Sequence, residues 1–495
     1  MPPFSPTLAR LRTEWAPSIP RELLAGAVAT FALIPEVIAF SFVAGVDPAV
    51  GLFASFVISI VIAVFGGRPA MVSAAAGSVA LVAAPLVASH GVQYLFAAGL
   101  LAGIVQIVFG LCRMGMLMRF VSSSVRTGFV NALAILIFTA QLPHLQGAST
   151  PTWIMLLLGL AIIYGIPWLG TYLNIRAITV IPAPLICVVA LTMITVALKL
   201  PLPTVADLGN LPNTLPSFTW PAVPINLETL RILALPALAI AMVGLLESVL
   251  TATVVDEMTG TPSNKNRECT GLGLANIASS IFGGIAGCGM IGQAVGNVKY
   301  GGRGRLSTLF AGVFLLILMV SLKPWLSQVP IVALVAIMVM VSISTFDWRS
   351  LSNLVRYPHL SSSAMLATVI VTISTHNLAA GVCTGVLLSG VFFAYKISRI
   401  LEVSHTDDPA TGQRTWQVRG QVFFASAESL IEAFDTRSIA GLPVCIDVRD
   451  ARFWDITALA ALDKIVQRLH QHGCHPVQVI GLDAASTRLL ERVRR

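Results

Sequence analysis

Two glutamates stand alone in long apolar stretches, and each precedes a glycine-rich segment. Glu36 lies 29 residues before Phe65-Gly66-Gly67, and Glu247 lies 35 residues before Phe282-Gly283-Gly284. Ionising an acidic side chain at the centre of a bilayer costs at least about 2.5 kcal/mol on insertion scales. Both glutamates are therefore candidate proton carriers. The alternative is that either carboxyl only hydrogen-bonds a broken helix beside Pro35 or Gly244.

Both glycine-rich segments can lead into a short helix. One helix beginning at Ala75 or Ala76 and another beginning near Ile291 would direct free backbone N–H groups toward one point, and helix N-termini bind anions. The alternative is that glycine and alanine only permit tight helix packing. The candidate anion-binding residues of these segments are Ser73, Ala76, Gly77, Ser78, Gly289, Met290, Ile291, Gly292 and Gln293.

Composition assigns the chain to the lipid bilayer. Of its 495 residues 56% are hydrophobic and 11% are charged, whereas about a quarter of the residues in a soluble globule are charged. The formal net charge of +8 could suggest a nucleic-acid partner. The positive residues are concentrated in short loops between apolar stretches, so membrane topology explains the charge and we expect no nucleic acid.

Apolar windows predict fourteen spans. The spans flanking the two glycine-rich segments are short, as expected of half-helices that do not cross a membrane alone. The predicted spans are 22–43, 49–65, 70–88, 95–112, 120–141, 153–170 and 177–198 in the first half, and 230–255, 270–283, 286–298, 306–322, 329–346, 362–377 and 379–400 in the second.

The loop charges predict the orientation. Loops after even-numbered spans hold most lysines and arginines, including Lys265, Arg303 and Arg305, which are expected to anchor the cytoplasmic side. Since seven spans separate each element from its counterpart, the two halves must have opposite orientations. We predict a polytopic α-helical protein of the cell (inner) membrane, with two inverted seven-segment repeats at about 22–198 and 230–400. Both termini would be cytoplasmic, with residues 1–21 as a lead-in.

Residues 401–495 have a different residue pattern from the apolar part of the chain. Alternating strand-like and helix-like patterns predict a small cytoplasmic α/β domain, separate from the transmembrane part at 22–400. Asp455-Ile456-Thr457 opens its longer helix, and Thr457 is a candidate helix cap.

The chain shows little that suggests enzymatic chemistry. Its seven cysteines include no Cys-x-x-Cys pair, and no metal-ligand cluster or nucleophile–base pair is evident. We expect packing cysteines, no cofactor and no metal, and not an enzyme.

The segment from Ala241 to Gly289 resembles the signature region of the sulfate permease (SulP) family of anion transporters. It contains Gly-Leu-Leu-Glu-Ser-Val-Leu-Thr-Ala and Gly273-Leu274-Ala275-Asn276-Ile277. The stretches Ile34-Pro35-Glu36 and Gly51-Leu52-Phe53 agree in the first half, and the tail resembles a STAS domain. The resemblance implies fourteen spans in core and gate domains that work by an elevator-like movement. The implied anion site comprises Glu36, Phe40, Ser78 and its neighbours, Glu247, and Met290 to Gln293.

Two departures from the family pattern favour proton coupling. Glu36 stands where members commonly have glutamine, and Gln293 stands where many have arginine. Both changes remove positive potential, so protons on Glu36 or Glu247 could replace the missing charge.

The resulting hypothesis is a secondary active transporter of small anions, of the sulfate, bicarbonate or dicarboxylate class, with protons as coupling ion. An uncoupled exchanger, a channel-like conductor of the same fold and a sodium-coupled symporter are the alternatives. A homodimer is left open.

Overall fold

The computed structural model describes residues 14–115, 121–172, 182–208, 217–321, 323–356, 358–375, 377–409, 412–434, 441–482 and 486–487. Residues 1–13, most of the predicted lead-in, lie outside them, as do the last eight residues of the predicted STAS domain. The chain divides into two compact units, Met1–Val386 and Leu387–Arg495. The domain boundary proposed after residue 400 stays a prediction.

The first unit is helical and carries two very short strands. Its first half contains α1 (Ile19–Val43), α2 (Pro48–Phe65), β1 (Ser73–Ala75), α3 (Gly77–His90), α4 (Val92–Leu111), α5 (Ser123–Thr139), α6 (Leu142–Leu145), α7 (Thr150–Tyr172), α8 (Ala183–Ala197) and α9 (Val205–Leu208). Its second half contains α10 (Leu227–Thr259), α11 (Lys265–Ile281), β2 (Gly287–Gly289), α12 (Ile291–Lys299), α13 (Arg305–Ser321), α14 (Lys323–Leu326), α15 (Ile331–Thr345), α16 (Arg349–Arg356), α17 (His359–Thr375) and α18 (Leu378–Ser398), which continues into the second unit.

Local sequence explains where several of these helices begin. Proline lies in the first turn of α1, α2 and α8, where its missing N–H has no intrahelical partner to lose. The side chains of Asn226 and Asn264 cap α10 and α11 by accepting from the N–H groups of Thr229 and Arg267.

Many of the helices are suited to a membrane. Among the described residues, eight helices are long and apolar enough to cross one, and four shorter apolar helices have 10–17 residues. A helix lies at each of the fourteen predicted spans, but α12 has nine residues and is too short to cross the hydrocarbon core of about 30 Å. The polytopic helical architecture is as predicted, whereas the number of crossings stays a prediction.

The helices of the first unit pack in two groups. The first group joins α1–α4 to α10–α13, and the second joins α5, α7 and α8 to α15 and α17. Each group therefore combines helices from both halves of the chain. This arrangement, with helices of both halves in each group, is the one expected of the predicted core and gate domains.

After the end of α18, the described residues of the second unit form a four-stranded sheet and two helices. Its elements are β3 (Glu402–Asp407), β4 (Arg414–Val422), α19 (Ala427–Ala433), β5 (Val444–Phe453), α20 (Ile456–Gln471) and β6 (Val477–Ile480). The strand order is β3-β4-β5-β6, with β3 and β4 antiparallel and the other pairs parallel. The unit has its own core, in which Leu462 and Ile465 of α20 pack with Trp416 and Ile446 of the sheet.

The cap of α20 differs from the sequence prediction. The side chain of Asp455 accepts a hydrogen bond from the N–H of Ala458 at 2.8 Å, so Asp455 is the N-cap. Thr457 is the second residue of the helix and is exposed. The prediction that Thr457 caps the helix is wrong, because the aspartate two residues earlier takes this position.

Deleting the residues after Ile400 is expected to leave a folded membrane unit, because the sheet unit has a hydrophobic core of its own. The truncated protein should be extracted in detergent and elute as one symmetric peak in size-exclusion chromatography. A cut after Thr345 is the control, since it removes α17, which packs against α5, and should cause aggregation. Aggregation of both truncations would contradict the boundary.

Candidate functional site

The two glycine-rich segments meet as a pair of strands. β1 and β2 are antiparallel, with Ser73 opposite Gly289, Ala74 opposite Cys288 and Ala75 opposite Gly287. The pairing continues at one end, where the N–H of Met290 donates to the carbonyl of Val72 at 2.9 Å. Because α3 and α12 begin directly after these strands, the pairing brings the two helix N-termini together.

Side chains from neighbouring helices support β2. The amide of Asn276 on α11 accepts from the N–H of Gly287 at 2.8 Å and donates to Gln106 of α4 at 2.8 Å. The hydroxyl of Ser248 accepts from the N–H of Gly289 at 2.8 Å, and that of Thr251 donates to the carbonyl of Gly289 at 3.0 Å. These backbone groups of β2 thus have hydrogen-bond partners within the protein and do not need water.

Helix α2 supports β1 in a similar way. The hydroxyl of Ser59 donates to the carbonyl of Ser73 at 2.9 Å, and the N–H of Ala75 donates to the hydroxyl of Ser55 at 3.2 Å. Ala76 and Met290 directly precede α3 and α12, and neither forms a side-chain cap. The first-turn N–H groups of both helices therefore keep donor capacity for a ligand.

A cavity of about 310 Å³ lies at these helix N-termini. Helices α1, α3, α10 and α12 form one side of it, and α5 and α15 form the other. The predicted site residues that line it are Glu36, Phe40, Gly77, Ser78, Glu247, Met290, Ile291, Gly292 and Gln293.

Each glutamate contacts the short helix that belongs to the other half of the chain. Glu36 on α1 accepts from the Nε2 amide of Gln293 on α12 at 2.7 Å. Glu247 on α10 accepts a hydrogen bond from the hydroxyl of Ser78 on α3. The two carboxyls thus lie near the positive ends of the α12 and α3 dipoles, where negative charge is favoured. An incoming anion would compete with them for the same N-termini.

Gly77 and Gly292 have different steric surroundings. A Cβ atom at Gly77 would lie 2.6 Å from Cε1 of Phe40, so glycine is required for the contact between α3 and the ring. A Cβ atom at Gly292 would meet no atom within 4 Å, because this position faces the cavity. Gly292 leaves space for a ligand close to the backbone.

Three predicted binding residues do not line the cavity. Ser73 and Gly289 lie within the strand pair, and Ala76 is the buried residue that precedes α3. The carbonyl of Ser73 and both backbone groups of Gly289 already have hydrogen-bond partners. These residues help to hold the helix N-termini in place, and their role as ligand contacts stays a prediction.

No sequence pattern pointed to the residues on the opposite side of the cavity. Apolar residues at ordinary span positions looked like packing residues, and only the tertiary fold brings them to the site. The cavity residues that were not predicted are Ala32, Phe129, Val130, Leu133, Ile137, Leu250, Met340, Val341, Ser344 and Thr345.

Cys288 was predicted to be a packing residue, but it contacts the site. Its thiol is buried and donates to Oε2 of Glu247 at 3.1 Å, the same oxygen that Ser78 contacts. With Oε2 occupied by two donors, Oε1 is the oxygen left for a proton. A single cysteine in an apolar segment carried no signal for this role.

The described cavity lining contains no lysine or arginine. Arg305 is buried elsewhere and donates to the carbonyls of Ala63 and Gly66 at 3.0 and 2.9 Å. Arg303 donates to the carbonyls of Val298 and Gly302. Both arginines are structural, so positive potential at the cavity comes from helix N-termini and neutral donors.

These features define a polytopic membrane transporter with a small α/β domain at its C-terminal end. The family model described as "Sulfate permease family" matches residues 19–152 and 144–371 of the chain. The model described as "STAS domain" matches residues 409–493. The chain therefore belongs to the sulfate permease family and carries a C-terminal STAS domain.

Individual relatives support this assignment. The chain is 48% identical to YbaR of Bacillus subtilis (strain 168), over 98% of both chains; the name of YbaR assigns it provisionally to sulfate transport. It is 24% identical to the bicarbonate transporter BicA of Synechocystis sp. (strain ATCC 27184 / PCC 6803 / Kazusa), covering 90% of this chain and 85% of BicA. The fold matches the solved structure of SLC26A9 with a TM-score of 0.83 and 17% identity, covering 98% of this chain and 88% of that one. The relatives are transporters, so the prediction that the protein is not an enzyme is confirmed.

Cys288→Ala removes one of the two donors to Glu247 and should lower transport. A neutral hydrogen bond contributes about 1 kcal/mol, which corresponds to about a five-fold lower initial uptake rate. Cys288→Ser keeps a donor and should stay within about two-fold of the wild type. The measurement is uptake of labelled sulfate and bicarbonate into proteoliposomes, with Cys269→Ala as a buried-cysteine control. Equal losses for alanine and serine would show that packing, not the hydrogen bond, matters.

Proposed function

We propose that the chain is a secondary active transporter that moves small anions, of the sulfate, bicarbonate or dicarboxylate class, by an elevator-like mechanism coupled to protons. The observation that carries the proposal is the cavity in which the N-termini of α3 and α12 meet two membrane-embedded carboxyls. Paired interruptions in two halves of a transporter mark its substrate site. The names of the relatives YbaR and BicA support anions of this class.

Backbone N–H groups would make the main contacts with the anion. The first turns of α3 and α12 have no side-chain cap, and Ser78 and Gln293 can add further donors. Oxyanions carry several acceptor oxygens, so two N-termini can bind one anion together. The cavity is large enough for a sulfate, a bicarbonate or a small dicarboxylate.

The two helix groups support an elevator-like movement. The cavity lies between the group that contains α1, α3, α10 and α12 and the group that contains α5 and α15. If the first group moves as one body, it carries both helix N-termini and both glutamates with it. The second group would present an apolar wall to the moving site.

Proton coupling follows from the electrostatics of the cavity. An ionised Glu247 beside Ser78 competes with the anion for the N-terminus of α3 and repels it. A neutral carboxyl removes this repulsion, so anion and proton should each favour the binding of the other. The absence of lysine and arginine from the described lining leaves the proton as the available positive charge.

Gly292→Trp should abolish transport, because the indole would fill the space beside the N-terminus of α12. Gly296→Trp is the matched control: it lies one turn further along α12, also faces open space and does not line the cavity. Transport of labelled sulfate and bicarbonate should fall below about a hundredth of the wild-type rate for the first variant only. Near-normal uptake by Gly292→Trp would exclude this cavity as the anion site.

Glu247→Gln should separate anion binding from proton coupling, because glutamine imitates a permanently neutral carboxyl. The variant is expected to bind sulfate or bicarbonate but to lose the acceleration of uptake by an inward proton gradient. Glu36→Gln should keep more of that acceleration, since Glu36 bonds only Gln293 among the described residues. The assay compares uptake into proteoliposomes with a proton gradient, a sodium gradient and no gradient.

The same assay tests the alternatives. Wild-type gradient dependence in Glu247→Gln would assign coupling elsewhere, with Glu36 as the first candidate. Acceleration of the wild type by sodium alone would indicate a sodium symporter, and rates independent of both gradients would indicate an exchanger or conductor.

A further inference from the structure

A second cavity, of about 500 Å³, adjoins the central one. Leu250 lines both cavities and marks the place where they meet. We call the second cavity the antechamber. Its described lining residues are Gly115, Val121, Arg126, Leu246, Val249, Leu250, Thr253, Asp256, Pro262, Ser263 and Lys265.

Most of the charge in the antechamber is already paired. Asp256 accepts from Lys265 at 2.8 Å and from Arg68 at 3.0 Å, and its second oxygen also accepts from Ser263. These contacts hold the loop after α10 against the start of α11. They leave Asp256 and Lys265 with little free charge to present to the cavity.

Arg126 differs from these residues. It lies in the first turn of α5, and it has no ion pair or hydrogen bond from its side chain to any described residue. Its Nε atom is buried and has no hydrogen-bond partner, so the folded chain leaves part of this guanidinium unsatisfied. The terminal nitrogens of the guanidinium are the donors that a ligand with acceptor oxygens would meet in the antechamber. The guanidinium is suited to such a ligand because its planar fork matches the geometry of an oxyanion.

We propose that the antechamber is a second anion-binding site, in which Arg126 holds an oxyanion beside the central cavity. The inference deepens the proposed transport function and rests on it. The central cavity has no lysine or arginine in its described lining, so a fixed positive charge next to it would add to the attraction that the helix N-termini exert on an anion. Arg126 supplies that charge, and the positive end of the α5 dipole adds to it.

The two sites would have different tasks. Arg126 raises the local concentration of anion next to Leu250, and the N-termini of α3 and α12 then bind the anion that moves. Placing the strong positive charge outside the central cavity keeps release possible, since an arginine in the centre would hold the anion more tightly.

The test is protection of Arg126 from phenylglyoxal, which modifies free guanidinium groups. Full-length protein in lipid nanodiscs is treated with the reagent, and peptide mass spectrometry follows the modification of Arg126 and Arg356. Arg356 is exposed and lines neither cavity, so it is the internal control. Sulfate or bicarbonate should slow the modification of Arg126 by about five-fold, as expected when roughly four fifths of the molecules hold an anion, and should leave Arg356 unchanged.

Three variants complete the test. Gly292→Trp fills the central cavity and should keep the protection of Arg126. Arg126→Gln should raise the sulfate concentration for half-maximal transport by about five-fold, and Arg126→Lys should restore most of this loss.

The outcomes are distinguishable. The proposal is overturned if Arg126 does not react without anion, if both arginines are protected equally, or if Gly292→Trp abolishes the protection. If the wild type transports neither anion while Arg126 is still protected, the proposed transport function fails and the antechamber site stands.

Discussion

Every backbone N–H and C=O group of the two glycine-rich segments needs a partner inside the protein, because lipid hydrocarbon supplies none. The pairing of β1 with β2 provides part of these hydrogen bonds, and Asn276, Ser248 and Thr251 provide others. The position of α3 and α12 depends on this arrangement. Their N-termini are directed at one cavity because the strands that precede them are antiparallel neighbours.

The N-termini of α3 and α12 face both the carboxyls of two glutamates and the cavity in which an anion would bind. Glu36 reaches α12 and Glu247 reaches α3, so each half of the chain supplies the acid that contacts the short helix of the other half. Under the proposed function, weak fixed charge would allow reversible binding, and a proton would shift the balance between carboxyl and anion. Arg126, outside this cavity, can then contribute attraction without trapping the anion.

Much of this could be predicted from the chain. The lone glutamates, the repeated Phe-Gly-Gly and the small residues after it pointed to eight residues that line the cavity, and the family resemblance added Phe40. Their role in anion binding stays a prediction. The strand pair was not predicted, because three-residue strands such as Gly287–Gly289 have no periodicity to detect. Cys288, Phe129 and Met340 were missed because their residue types are ordinary in membrane helices and only their neighbours make them part of the site.

The class of structure follows from the sequence alone: 56% hydrophobic residues, with most charges in loops, indicate a membrane protein, and the alternating tail indicates a separate α/β unit. The sequence also determined which polar groups stand in the apolar part, since a lone glutamate is visible without coordinates. Which of these groups contact one another depends on the tertiary structure. Glu247 contacts Ser78 and Cys288, which are far from it in the chain. The Nε atom of Arg126 has no hydrogen-bond partner among the described residues, and this too depends on which helices pack around it. Local residue patterns carry no information on such distances, because these are set by the packing of whole helices.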